Sequence, residues 1–145
     1  MTDRVLVPYD GSDHADAALR FAFETHPDAR IVVFHVVEPF AEHTDAGVEN
    51  VHRWEDRARE YAESAFERAE AVAEASARSI ETEWRYGRPK RVIVDYVGDH
   101  DVDHVVMGSR GRDGIDRLLL GSIAETVVRR VPVPVTVVGD ALVEE

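Results

Sequence analysis

Short apolar runs alternate with stretches of helical periodicity along the whole chain, and few folds accommodate that order. Val5-Leu6-Val7 is the first run, and Pro8-Tyr9-Asp10-Gly11-Ser12 ends it. Ser12 or Asp13 then caps a predicted helix with Ala15, Ala18, Leu19, Ala22 and Phe23 at helical spacing. Ile31 to Val37 is apolar almost throughout, as expected of a strand covered on both faces. Residues 39–49 read as a polar loop. A long helix is predicted from about Glu49 to Arg78. Its inner stripe is Val51, Trp54, Ala58, Tyr61, Ala65, Ala69 and Val72. Glu49/Arg53, Glu55/Arg59 and Glu74/Arg78 stand as i,i+4 pairs on its outer side.

Ile80, Thr82, Trp84 and Tyr86 alternate with charged residues, which suits an edge strand with one wet face. Gly87-Arg88-Pro89 opens a short helix carrying Val92, Ile93 and Tyr96. Val105-Val106-Met107 is the fourth strand, and Gly108 to Gly121 a glycine-punctuated loop. Ser122 to Arg130 is the last helix, and Val135 to Val138 the fifth strand. The order βαβαβαβαβ predicts an α/β fold: an open, five-stranded parallel sheet between two helical layers, with right-handed crossovers. Residues 1–145 read as one domain, without repeat or linker.

Composition narrows the chemistry. There are no cysteines, so disulfides, thiolate metal sites and cysteine nucleophiles are excluded. No apolar run reaches membrane-spanning length, and the amino terminus lacks a signal-peptide pattern, so a cytoplasmic protein is expected. Twenty-nine acidic against seventeen basic residues give a net charge of −12. That charge argues against nucleic acid and anionic membrane as partners. Self-repulsion of this size is best tolerated in concentrated salt, where the Debye length falls to about 3 Å, so a halophilic source is expected.

Open parallel sheets bind ligands beyond the carboxyl ends of strands, where the strand order reverses. Two strand ends stand out: Pro8-Tyr9-Asp10-Gly11-Ser12, and Met107-Gly108-Ser109-Arg110-Gly111 running on to Gly121-Ser122. Gly108, Gly111 and Gly121-Ser122 fit the spacing G-x2-G-x9-G-S. Glycines let main-chain amides approach a polyanion, and a helix start favours phosphate. Between Met107 and Arg130, five arginines outweigh Asp113, Asp116 and Glu125. The same residues also fit plainer roles. Glycines punctuate turns, Ser122 is a plausible N-cap, Asp10 suits an Asx turn, and Pro8 can simply end a strand.

The segment MGSRGRDGIDRLLLGSIAETVVRRVPVPVTVV closely resembles the carboxyl-terminal signature of the universal stress protein family. VLVPYDGSDHADAALRFA resembles the family's opening, and FHVVEP its second strand. The intact glycine motif is similar to that of the ATP-binding branch. The resemblance implies a Rossmann-like, adenine nucleotide α-hydrolase-like sheet of strand order 3-2-1-4-5. It also implies ATP, AMP or ADP as ligand, in a cleft formed partly by Pro8, Tyr9 and Asp10. Asp10 would face the adenine or ribose end, and the main chain of Val36 the base. Met107 and Gly108 would meet the ribose. Arg110, Gly111, Gly121, Ser122 and the amide of Ile123 would hold the phosphates. A Mg²⁺ or Mn²⁺ ion would ride on phosphate oxygens, with few protein ligands. The family also implies a homodimer through the last strand, at Val135, Val137 and Val138.

No catalytic residue is assigned. The chain has no G-x-S-x-G elbow and no H-E-x-x-H, and Leu120-Gly121-Ser122 stands where a P-loop would need Gly-Lys-Ser/Thr. His100 and His104 flank Asp101 and Asp103 in poor geometry for zinc, and His35 reads as a hydrogen-bonded core histidine. The functional expectation is a nucleotide-binding sensor or regulator of stress. The alternatives are an interaction module that binds no nucleotide, and a slow ATPase. A phosphoacceptor domain would need an acid and a lysine where Tyr86-Gly87 and Val138-Gly139 stand. A flavodoxin-like carrier would suffer repulsion between Asp10, Asp13 and the flavin phosphate.

Overall fold

The computed structural model describes residues 3–39, 51–110 and 120–143. Its elements are β1 (Arg4–Pro8), α1 (Asp13–Thr25), β2 (Arg30–Val37), α2 (Val51–Ala75) and β3 (Glu81–Tyr86). They continue with α3 (Pro89–Asp99), β4 (His104–Gly108), α4 (Ser122–Arg130) and β5 (Val135–Val138), then a 3-10 turn at Asp140–Leu142. The five strands form one parallel sheet of order β3-β2-β1-β4-β5. This is the predicted order, with its reversal between β1 and β4.

Alternate side chains of the inner strands go to opposite faces, and both faces are covered. Val5, Val7, Ile31, Val33 and Val106 pack with α1 and α2. Leu6, Val32, Phe34, Val105 and Met107 pack with Ile93, Tyr96 and Val97 of α3 and Ala124 and Val127 of α4. Burial on both faces is why these strands read as unbroken apolar runs. At the outer edge, Trp54, Ala58 and Ala62 of α2 meet Val37, Trp84 and Tyr86. Thr82, read as facing inward, is exposed. An Arg30–Glu81 pair with contacts of 2.8 and 3.0 Å marks this edge with charge.

Helix α1 begins as its sequence suggests. Ser12 Oγ accepts from the Ala15 amide at 3.1 Å, and Asp13 and Asp16 sit in the first turn. Its inner face is largely alanine, which lets it lie close to the sheet. The closest approach is at Gly108, where a Cβ would stand 2.9 Å from His14 Cβ and 3.0 Å from the His14 carbonyl oxygen.

Two readings of α2 are corrected. Tyr61 is 46% exposed, and the expected Ala58, Ala65 and Ala69 are joined in the seam against α1 and the sheet by Ala62 and Ala73. The helix ends at Ala75, so Arg78 cannot pair with Glu74 along it. Ala77 takes φ 55°, and the Arg78 amide donates back to the Ala73 carbonyl at 2.9 Å. The Arg78 guanidinium then donates to the carbonyls of Phe23, His26 and Ala29 at 2.8, 3.3 and 3.2 Å. It closes the carboxyl end of α1, where orphan carbonyls need donors. Glu49 and the loop 39–49, apart from Pro39, lie outside the described residues, as do the side chains of Val51 and Arg53.

On β5, Val135 and Val137 are half-buried, but Val138 is 2% exposed and sits in the chain's own core. Val138 could therefore meet a second copy only through its main chain. Among the described residues, no helix is long and apolar enough to cross a membrane.

Candidate functional site

A cavity of about 1500 Å³ opens at the carboxyl ends of β1, β2 and β4, where the strand order reverses. Pro8, Tyr9, Asp10, Val36, Met107, Gly108, Arg110, Gly121, Ser122 and Ile123 all line it. Gly111 lies outside the described residues.

Backbone register explains the role of Val36. The last β1–β2 partners are Pro8 and Phe34, and the Tyr9 amide donates to the Phe34 carbonyl at 2.8 Å. β2 runs on to Val37. In a parallel strand, a residue's N–H and C=O point to one side, and the next residue's to the other. Phe34 faces β1, so Val36 faces the space beyond the end of β1. Consistently, Val37 faces β3, where its carbonyl accepts from the Gly87 amide at 3.0 Å. Val36 thus offers a donor and an acceptor side by side on the cavity.

The turn after β1 is held internally. Asp10 Oδ1 accepts from the Ser12 amide at 3.0 Å, the Asx turn that its sequence allows. His35 Nδ1 lies 2.8 Å from the Tyr9 carbonyl, so that nitrogen carries the proton and donates. Tyr9 is buried in the core beneath α1, and its hydroxyl donates to Asp16. Asp16 Oδ2 also accepts from Arg68 Nη2 at 2.6 Å and Nε at 2.9 Å, and Arg68 Nη2 reaches Asp13 at 2.8 Å. Burial, then the bond to Asp16, pushes the Tyr9 phenol above its ordinary range, so it stays protonated. The hydrogen bond to Asp16 raises Arg68 further. Tyr9 therefore offers the cavity main chain rather than a ring.

The β4 side is built differently. The Gly121 amide donates to the Ser109 carbonyl at 2.7 Å and is not free for a ligand. A Cβ at Gly121 would stand 3.0 Å from the Ser109 oxygen and 3.2 Å from Arg110 Cα. The small residues at 108 and 121 thus let the chain pass close to itself. Gly121 is the N-cap of α4, with no side-chain cap bond, and Ser122 is its first residue. The amides of Ser122, Ile123 and Ala124 then have no acceptor within the helix. They supply the positive helix end expected to meet phosphate.

Arg110 is 90% buried, but its Nη2 donates to Asp140 Oδ1 at 2.8 Å, next to His14 Nε2 at 3.3 Å. His14 Nε2 reaches the same carboxylate oxygen at 2.9 Å. Bonds from His14 and Arg110 hold Asp140 below the usual carboxylate range. The Arg110 Nε is buried with no hydrogen-bond partner among the described residues.

Sequence reasoning missed several lining residues. Arg68 and Tyr61 come from α2, and Arg88, Lys90 and Arg91 from the start of α3. Only the last group carried a local signal: three cations within Gly87-Arg88-Pro89-Lys90-Arg91, directly after a strand.

Comparison with known proteins bears on this geometry. The model of the universal stress protein family matches residues 1–139. A universal stress protein of Methanocaldococcus jannaschii is 32% identical over 142 residues, covering 93% of this chain and 81% of the relative. The solved structure of universal stress protein UspA from Lactobacillus plantarum is 33% identical with TM-score 0.77, covering 94% of this chain and 97% of that one. A universal stress protein solved in complex with cAMP is 25% identical with TM-score 0.65, covering 94% of this chain and 97% of that one.

Proposed function

The chain belongs to the universal stress protein family, and on that premise we propose that its cavity binds an adenine nucleotide, ATP foremost. The observation that carries this reading is the convergence on one cavity of Val36's outward main chain and the open start of α4. The first suits the edge of a base, the second a phosphate. The relative with cAMP supports the same ligand class.

Asp10 would face the adenosine, Val36 the base, and Met107 and Gly108 the ribose. Ser122 and Ile123 would hold phosphate, with Arg110, Gly111 and Gly121 shaping that side. The buried, unpartnered Arg110 Nε and the Ser122 and Ile123 amides fit an anion. A Mg²⁺ or Mn²⁺ ion would be carried by the phosphates and screen their charge.

The role proposed is regulatory: occupancy of the cavity reports nucleotide, and the protein acts in stress response through its shape or partners. Slow hydrolysis is the lesser enzymatic reading. One observation favours the rival reading of a module that binds no nucleotide: the Arg110 guanidinium already donates to Asp140. We also propose a single domain, a cytoplasmic location, a salt-adapted protein and a homodimer through the main-chain edge of β5.

Mass spectrometry of small molecules released on denaturing the purified protein tests the ligand, with adenine nucleotide expected. Ser122→Pro tests the site. Proline is favoured at the first position of a helix, and Gly121 at φ −61°, ψ 152° suits a residue before proline. The variant should fold, lose one amide and one hydroxyl, and bind nucleotide on the order of tenfold more weakly. Unchanged affinity would remove the phosphate assignment. Gly121→Val is a poorer test, because its side chain meets the Ser109 carbonyl before any ligand.

A further inference from the structure

The start of α3 carries a basic run that the reading above leaves unused. Arg88, Lys90 and Arg91 are exposed, and all three line the cavity. The chain around them has a net charge of −12, and Lys90 is its only lysine. Three cations within four positions are therefore a local reversal of sign, placed on the cavity's rim.

Little holds these charges elsewhere. Arg91 reaches Asp95 at 3.8 Å between two well-exposed side chains, a pair of small worth in water. Arg88 and Lys90 have no ion-pair partner among the described residues. Arg88 stands at the N-cap of α3 without a side-chain cap bond, so it serves no evident structural end there.

Their placement relative to the phosphate side follows from the layers. α3 and α4 pack against each other on one face of the sheet. Both follow strands of one parallel sheet, so both begin at its carboxyl edge. The basic run and the Ser122 start of α4 therefore share one wall of the cavity. At about 1500 Å³ the space exceeds the range of roughly 300–1,000 Å³ usual for small-molecule sites.

We propose that Arg88, Lys90 and Arg91 form a subsite for the outer phosphates of a nucleoside polyphosphate. The subsite would make the cavity prefer ATP and ADP to AMP or a cyclic monophosphate. The proposal rests on the nucleotide reading above and sharpens it from adenine nucleotides at large to the polyphosphates. The first phosphate meets the amides of α4. Each further phosphate adds negative charge for Lys90 to meet as a point charge and for Arg88 and Arg91 to meet through their guanidinium forks.

The experiment is calorimetric titration of AMP, ADP and ATP, each with Mg²⁺, at about 0.15 M salt, where the Debye length is roughly 8 Å. The proteins are the parent chain, the triple variant Arg88→Ala/Lys90→Ala/Arg91→Ala, and the single variants Lys90→Glu and Lys90→Arg. Far-UV circular dichroism confirms that each variant is folded. In the parent, affinity is expected to rise from AMP to ATP. The triple variant should weaken ATP by about tenfold, the combined worth of three exposed charge contacts, and leave AMP within about twofold. Lys90→Glu should penalise ATP more than AMP, and Lys90→Arg should retain the parent preference.

Equal binding of AMP and ATP by the parent overturns the proposal and leaves the nucleotide reading intact. So does a triple variant that weakens both equally, since the run then acts only as a general field. A parent that binds none of the three nucleotides overturns the reading and the subsite together.

Discussion

The two ends of the sheet use their polar groups in opposite ways. At the amino end, donors and acceptors are satisfied within the chain. Arg78 closes the last carbonyls of α1, Asp103 Oδ2 accepts from the Asp3 and Arg4 amides at 3.1 and 2.9 Å, and His104 Nε2 bonds Thr136 Oγ1 at 2.7 Å. At the carboxyl end, among the described residues, the main chain of Val36 lies beyond its β1 pairing, the first amides of α4 have no acceptor within the helix, and Arg110 Nε, Arg88 and Lys90 have no partner. An unmet buried polar group costs stability, so proteins keep few of them. Among the described residues, the buried side-chain atom left without a partner, Arg110 Nε, lies at the carboxyl end.

The contrast is broken most forcefully at Arg78. Arg78→Ala removes donors from three carbonyls and a guanidinium lying 5.1 Å from the centre of the Phe23 ring. It should cost about 2–3 kcal/mol in urea unfolding while nucleotide affinity holds. Equal loss of affinity would show that the two ends are not separable.

Gly108→Ala acts at the other end through packing. The new methyl meets the α1 backbone at His14, which cannot swing aside as a side chain does. The cost should be about 1–3 kcal/mol, and affinity should fall with it because α1 and the cavity wall shift together.

Tyr9→Phe sharpens the comparison within the carboxyl end. It deletes one hydroxyl bonded to Asp16, which keeps Arg68 as partner. A loss of about 1 kcal/mol is expected in thermal or urea unfolding, with affinity unchanged. Weaker nucleotide binding would bring the Tyr9 side chain into the site.

The smallest effect is a pH dependence at the amino end. Burial, then the neighbouring His26, holds the His104 imidazole below its ordinary value of 6.5. The unfolded chain therefore takes up that proton first. His104's contribution is whole above 6.5 and declines as pH falls from there toward the lowered folded value. Urea midpoints measured across that window should fall with acid, and less so in His104→Gln. Parallel slopes in parent and variant would refute this.

The sheet was largely legible because burial on both faces writes strands as apolar runs, as in Ile31 to Phe34. The glycine spacing at 108 and 121 was legible too, although the contacts that require those glycines are with His14, Ser109 and Arg110. What the sequence hid was long-range. Arg68 meets Asp16 across 52 positions, and Arg78 meets the Phe23 carbonyl across 55. No local pattern encodes such a meeting. The inward strip of α2 was read correctly at Ala58, Ala65 and Ala69 and misread at Tyr61, where the larger apolar ring outweighed the small Ala62 beside it. The cations at 88, 90 and 91 were in plain view, but read as the opening of a helix.

The three residues by which β2 outruns its partner have an evolutionary implication. Recognition by an outward peptide group does not depend on which side chain position 36 bears. If Val36 meets the base through its peptide group as proposed, Val36→Ala would lose packing against the core beside Phe34 yet leave that recognition in place. Only proline, which deletes the N–H itself, would reveal it.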